Sequence, residues 1–169
     1  MKRCYLLVFL VLVGTACGAG IIWAAQPVPD CTLKDGKVEK DIRTVARRLQ
    51  GNEYCQFRQY VTIDDIDGDG KDDFVVMFTV EGVHGSMNHF LRFVLVYLSS
   101  RADAQPVQIQ VGERGKRSAS RFLRLERNEI TVEDDVWQEG DALCCPSGKG
   151  QSIYEIKDGK IVKTLENQD

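Results

Sequence analysis

Six aspartates fall within ten positions, 64 to 73, in the stretch "TIDDIDGDGKDDF". Asp65, Asp67, Asp69, Gly70 and Asp73 spell D-x-D-x-D-G-x-x-D. Calcium is a hard cation that takes six to eight oxygens, and alternate positions on a tight loop can aim carboxylates at one point. Gly70 stands where the backbone must turn sharply, a place for positive φ that only glycine adopts freely. The main-chain carbonyl of Lys71 would add an oxygen and Asp73 would close the loop. Asp64 and Asp72 would point elsewhere and raise the local negative potential. Two unit charges about 4 Å apart repel by about 4 kcal/mol at an effective dielectric of 20, so converging carboxylates call for a cation. The spacing therefore predicts a structural calcium site formed by Asp65, Asp67, Asp69, Lys71 and Asp73. A solvated, aspartate-rich hairpin is the alternative reading.

The loop resembles the calcium loops of integrin β-propeller repeats, thrombospondin repeats and dockerins. It departs from an EF-hand, because position twelve counted from Asp65 is Val76 rather than glutamate. Its flanks read as strands, which makes it a strand–loop–strand site. Such sites belong with the weak extracellular class of affinities, ~10⁻⁴ to 10⁻³ M.

Other residues capable of chemistry are sparser. His84 and His89 lie in "EGVHGSMNHF", a turn between two strands, with Glu81 as the one further ligand at a usable spacing. They read as polar residues of a loop tip, with zinc binding as the alternative. "DALCCPSGKG", residues 141 to 150, carries adjacent cysteines followed by Pro146. A thiol-exchange site usually spaces its cysteines C-x-x-C, so this stretch reads as a rigid disulfide knot. Arg114, Lys116, Arg117, Arg121, Arg124 and Arg127 crowd "GERGKRSASRFLRLER", which reads as the wet face of a strand pair. An anionic polymer or lipid headgroup is the other partner such a run suits.

The N-terminus supplies a location. Lys2 and Arg3 precede the apolar run from Tyr5 to Val13, and the small-residue stretch "GTACGAG" follows. That order predicts a secretory signal peptide over residues 1–25, cleaved near Ala19. Two alternatives are a lipoprotein site at Cys17 and an uncleaved anchor, since Cys4 to Ala25 carries no charge. All three predict an exported domain, periplasmic or extracellular, over residues 26–169. Losing the leader removes two of 22 cations and none of 25 anions, leaving a net charge of about −5. A mildly acidic domain is not a general binder of nucleic acid or of anionic membranes. Of six cysteines, Cys31, Cys55, Cys144 and Cys145 follow the leader. An even number in an exported chain favours disulfides, and four cysteines permit three pairings. A pair of Cys31 with Cys55 would leave Cys144 with Cys145; crossed pairings remain open.

The elements that position these residues follow from periodicity. Val38, Ile42, Val45 and Leu49 recur at helical spacing, predicting an amphipathic helix from Val38 to Gln50 that stops at Gly51-Asn52. Strand patterns follow at short intervals: "FRQYVTI", "FVVMFTV", "FLRFVLVYL", "PVQIQV", "SRFLRLE", "EITVEDDVW", "QSIYEI" and "KIVKTL". "FLRFVLVYL" is apolar on both faces and predicts a central strand covered on both sides. Turn chemistry marks residues 127–129 and 157–159. The expected fold is α+β: one N-terminal helix with an antiparallel meander of about seven or eight strands.

The leader, the single aspartate loop before a hydrophobic strand, and "DALCCPS" before a final hairpin are together similar to a group of small exported bacterial proteins of unknown function. That resemblance covers residues 60 to 165 and implies an extracytoplasmic location. The expected role is a non-catalytic, calcium-stabilised domain acting through its surface on an envelope protein or surface polymer. Alternatives are an inhibitor of an extracellular hydrolase presenting "EGVHGSMNHF", a metal-assisted hydrolase using the aspartates with His84 and His89, and a thiol oxidoreductase using Cys144 and Cys145.

Overall fold

The computed structural model describes residues 36–54, 58–63, 65–126, 128–157 and 159–168. The predicted leader, Cys31 and Cys55 lie outside the described residues, as do Asp64 and Arg127.

Helix α1 runs Gly36–Arg48 and buries Val38, Ile42, Val45 and Ala46. Each such side chain contributes about 1.5–3 kcal/mol when fully withdrawn from water. The helix ends two residues earlier than periodicity suggests. Gln50 takes a left-handed φ of 54°, and the Gly51 N–H donates back to the Ala46 carbonyl at 3.0 Å. Gly51 is required for a different reason than turning. A β-carbon there would lie 2.6 Å from the Glu81 carbonyl oxygen, so the chain leaves the helix pressed against a strand.

The nine strands among the described residues join one antiparallel sheet: β1 (Asn52–Glu53), β2 (Gln59–Ile63), β3 (Asp73–Glu81), β4 (Phe90–Tyr97), β5 (Val107–Glu113), β6 (Arg117–Glu126), β7 (Glu129–Val136), β8 (Gly148–Lys157) and β9 (Lys160–Gln168). From β3 onward each strand pairs with the next, the meander expected from the sequence. Two-residue β1 and five-residue β2 share the outer edge of β3, β1 beside Val80 and Glu81 and β2 beside Asp73 to Met77. The sheet is thus eight strand positions wide.

Strands β3 and β4 form the centre, and their alternation sorts two cores. Val76, Phe78, Val80, Leu91, Phe93 and Leu95 face α1. Phe78 and Phe93 sit opposite each other in register and stack at 5.6 Å. Val75, Met77, Val94 and Val96 face the other way, onto Ala119, Ile130, Val132, Tyr154 and Ile156 of β6–β8. The sheet reaches that second contact by folding over at one point. β5 and β6 pair only at Gly112 and Ser118, where a glycine β-carbon would lie 2.4 Å from Ser118 Oγ. Six consecutive residues of β4, Leu91 to Val96, are buried, as a strand covered on both faces requires.

Candidate functional site

The acidic loop connects β2 to β3, and the sheet fixes both its ends: Ile63 pairs with Asp73 directly across the strands. Between them the chain turns through two left-handed glycines, Gly68 at φ 82° and Gly70 at φ 84°. Ile66 is fully buried in the core under β6–β8, which anchors the middle of the loop.

Backbone N–H groups organise the carboxylates. Asp65 Oδ1 accepts from the N–H groups of Gly68 at 2.6 Å and Asp69 at 2.9 Å, and its Oδ2 from Gly70 at 3.0 Å. Asp73 is 1% exposed; its Oδ2 accepts from Ile66 at 2.8 Å and Asp67 at 3.3 Å, and its Oδ1 from Ser99 at 2.8 Å. Asp67 Oδ1 accepts the Asp69 N–H at 3.2 Å while its Oδ2 accepts from the Ser100 hydroxyl. One carboxylate oxygen from each of Asp65, Asp67 and Asp73 lies within 4.8 Å of the other two.

Of the four predicted carboxylates, the structure therefore brings three together. Asp69 turns aside: its Oδ1 accepts the Lys71 N–H at 2.9 Å, and Ser99 Oγ reaches its two oxygens at 3.0 and 2.8 Å. Lys71 is exposed at the rim of the loop.

The cluster's electrostatics are partly met from within. Three charges this close repel by about 3 kcal/mol per pair at an effective dielectric of 20, and by about 1 kcal/mol in bulk water. The inward N–H dipoles offset part of that repulsion. Carboxylate oxygens carry two lone pairs each, so accepting an N–H leaves capacity for a cation. An all-oxygen donor set of this kind suits a hard divalent ion.

Ser99 and Ser100 were not legible as part of this site. They follow β4 in the chain and reach the loop only because β3 and β4 are paired.

The histidines stand elsewhere. β3 separates the acidic loop at its start from the turn holding His84 and His89 at its end, a span of about 25 Å at strand rise. His84 is exposed with a left-handed φ of 53°, and His89 Nε2 lies 3.5 Å from Glu113 Oε1. Glu113 is held below the usual carboxylate range, first by its hydrogen bond from Lys116.

Cys144 and Cys145 form a vicinal disulfide, one of the pairings the spacing allows. Asp141 ties the surrounding loop together, its Oδ2 accepting from the N–H groups of Gln138 and Ser147, both at 2.8 Å, and from Ser147 Oγ at 3.1 Å. These bonds, that of Gln138 foremost, hold its carboxyl below the usual range.

The basic run is matched by carboxylates. Arg121 bonds Glu133 at 2.7 Å, Arg124 bonds Glu129 at 2.6 Å, and Lys116 bonds Glu113 at 3.0 Å. Arg117 turns inward to fully buried Asp134 at 2.8 Å. Across β6 and β7 the positive run is therefore largely paired. Comparison with known protein families, curated proteins and solved structures found no match for this chain.

Proposed function

We propose that the chain is an exported domain stabilised by calcium at its acidic loop, without a catalytic role, acting through its surface on an envelope protein or surface polymer. The observation that carries the metal part is the approach of Asp65, Asp67 and Asp73 oxygens to within 4.8 Å of one another. In this reading a bound ion would take oxygens from these three carboxylates, with Asp69 and the Lys71 carbonyl completing the set after Asp69 leaves Ser99. The ion's work is mechanical: it neutralises the clustered charge and pins the β2–β3 connection to the turn after β4.

Thermal melts of the chain in calcium, magnesium and EDTA test this. A ligand at about 100 times its dissociation constant adds ~2.7 kcal/mol, several degrees for a domain of this size. Calcium should raise the midpoint, magnesium should not, and Asp67→Asn should abolish the response. Asp69→Ala decides whether that fourth carboxylate joins. Equal midpoints in all three conditions would leave the loop a solvated turn.

One observation supports a second reading, inhibition of an extracellular hydrolase. The β3–β4 turn presents Met87 at 94% exposure from a framework of backbone bonds. Gly82 N–H donates to the His89 carbonyl at 3.0 Å, and His84 N–H to the Leu49 carbonyl at 2.9 Å. A rigid loop with an apolar tip loses little entropy on entering a cleft. Slowed cleavage by a panel of extracellular peptidases, relieved in Met87→Glu, would favour it; no slowing at stoichiometric excess would remove it.

A further inference from the structure

The sheet leaves two strand edges close to each other. β9 is its last strand and pairs with β8 alone among the described residues. β5 pairs with β4 along its length, yet meets β6 at one pair only, Gly112 with Ser118. Beyond that pair β6 crosses toward β2, where the Ser120 carbonyl accepts from Gln59 Nε2 at 2.8 Å. Among the described residues, no strand therefore pairs with the outer edge of β5 from Val107 to Val111. Alternate residues of such an edge turn an unpaired N–H and C=O outward.

A groove of about 290 Å³ adjoins this edge. Ile109 and Val111 line one side and Tyr154, Lys163 and Glu166 of β8 and β9 the other, with Arg117 at the end where β5 and β6 meet.

The sequence treats the two edges differently. β9 carries the devices that keep an edge from being joined: Lys160 and Lys163, and a bulge where its register shifts against Ile153 and Tyr154. Lys163 sets its charge 5.9 Å over the Tyr154 ring. Val107 to Val111 hold no charge and no proline. They alternate half-buried Val107 and Ile109 with exposed Gln108 and Gln110. The bulge of β5, between the pairs of Arg92 and Phe93, falls beside Gly112, where β6 still covers the strand. An uncharged, alternating edge left open is a template for another chain.

We propose that this edge takes up an extended peptide segment of a protein partner as an added strand. Main-chain bonds to β5 supply the affinity, and alternation supplies the selectivity. Apolar side chains at every second position lie beside Ile109 and Tyr154, and polar ones beside Gln108 and Gln110. Val107 to Val111 span ~17 Å, the length of a five-residue strand. The groove's far side admits one slim strand, whereas the edge of a whole domain would meet Tyr154 and Lys163 first, which singles out a peptide over a second copy of this chain. The proposal rests on the surface role inferred above and narrows its partner to a protein.

The test uses the full chain and a fluorescein-labelled peptide, Lys-Val-Thr-Val-Thr-Val-Lys, read by fluorescence anisotropy in calcium and in EDTA. The same composition in the order Lys-Val-Val-Val-Thr-Thr-Lys is the control. Saturable binding at a Kd below about 1 mM is expected, with the control at least about tenfold weaker. N-methylation of the valines and of the threonines blocks opposite edges of the peptide, so one form should bind at least about tenfold weaker than the other. Hydrogen exchange reads the protein side: alternate amides within 107–111 should exchange fast in the free chain and become protected by the peptide. Ile109→Lys, with its folding checked by thermal midpoint, should weaken the peptide about tenfold; if it does not fold, the N-methylated pair and the exchange decide. Five results would overturn the proposal: a control as tight as the alternating peptide, equal binding of the two N-methylated forms, amides of 107–111 all protected without peptide, no saturation by about 5 mM, or a dimer of the chain that forms through this edge. Any of these with a calcium-raised midpoint removes the added strand alone. Binding that is equal in calcium and EDTA, with unmoved midpoints, keeps the strand and removes the metal.

Discussion

The acidic loop and the disulfide knot are both tight connections organised by aspartate, and they close in opposite ways. In the loop, Asp65 and Asp73 accept backbone N–H groups from both sides of the turn, and Asp73 does so while buried. In the knot, one half-exposed carboxylate, Asp141, gathers Gln138 and Ser147. The loop concentrates like charge, so its closure works against Coulomb repulsion. The knot carries a single carboxylate and a covalent S–S bond, and owes nothing to a cation. In the proposed reading the first is a connection that calcium strengthens; the second is held within the chain, by the hydrogen bonds of Asp141 and by the S–S bond.

Asp73→Ala should produce the largest loss. It removes the acceptor of three N–H groups, and charge-assisted bonds contribute about 1.5–3 kcal/mol each. Relief of repulsion from Asp65 and Asp67 works the other way, but both neighbours are half-solvated, where each pair is worth about 1 kcal/mol. A net loss of about 3 kcal/mol or more is expected in urea unfolding, and Asp141→Ala should lose less than half as much. Equal losses would erase the contrast between a buried and a half-exposed organiser.

How much of this was readable in advance depended on distance along the chain. The aspartate spacing, the turn at Gly70 and the two-sided burial of β4 are local properties, so the sequence pattern displays them. Ser99 and Ser100 join the acidic loop through strand pairing that no spacing announces. Gln50 adopts a left-handed conformation next to a glycine that seemed the natural place for one, because Gly51 is held by the close approach of Glu81. Two-residue β1 is defined only by its partner on β3. The basic stretch is a face of paired charges, yet Arg117 leaves that face for Asp134, a choice made by the bulge that shifts β6 against β7.

A matched pair of glycines sharpens the comparison at a smaller scale. Gly70 in the loop and Gly140 in the knot have φ of 84° and 91°, and an added β-carbon would meet nothing within 4 Å at either. Alanine at either site therefore pays only for the left-handed backbone, about 1–2 kcal/mol. In EDTA the two variants should lose similar stability. In calcium the Gly70→Ala loss should grow, because the relaxed loop no longer converges its oxygens, while Gly140→Ala should be unmoved. Acid adds a check on the knot. The folded pKa of Asp141 is depressed, so its contribution is present above the ordinary aspartate pKa and is lost as pH falls through the folded value. Asp141→Asn should accordingly flatten the acid limb of stability against pH.

Opening the disulfide should have the smallest effect. A crosslink between neighbours closes almost no chain, and the loop-entropy relation gives about 1 kcal/mol for so short a ring. Asp141 retains its three hydrogen bonds whether or not the sulfurs are joined, since none of them involves Cys144 or Cys145. The double variant Cys144→Ser/Cys145→Ser should thus lower the thermal midpoint by no more than a few degrees and leave any calcium response intact. Its sharper signature is local: Cys144 lines the cavity that Trp137 walls, so tryptophan fluorescence should change while global stability scarcely does. A loss of about 3 kcal/mol would instead mean that the covalent bond organises Asp141, and the knot would then resemble the acidic loop in depending on something added to the chain.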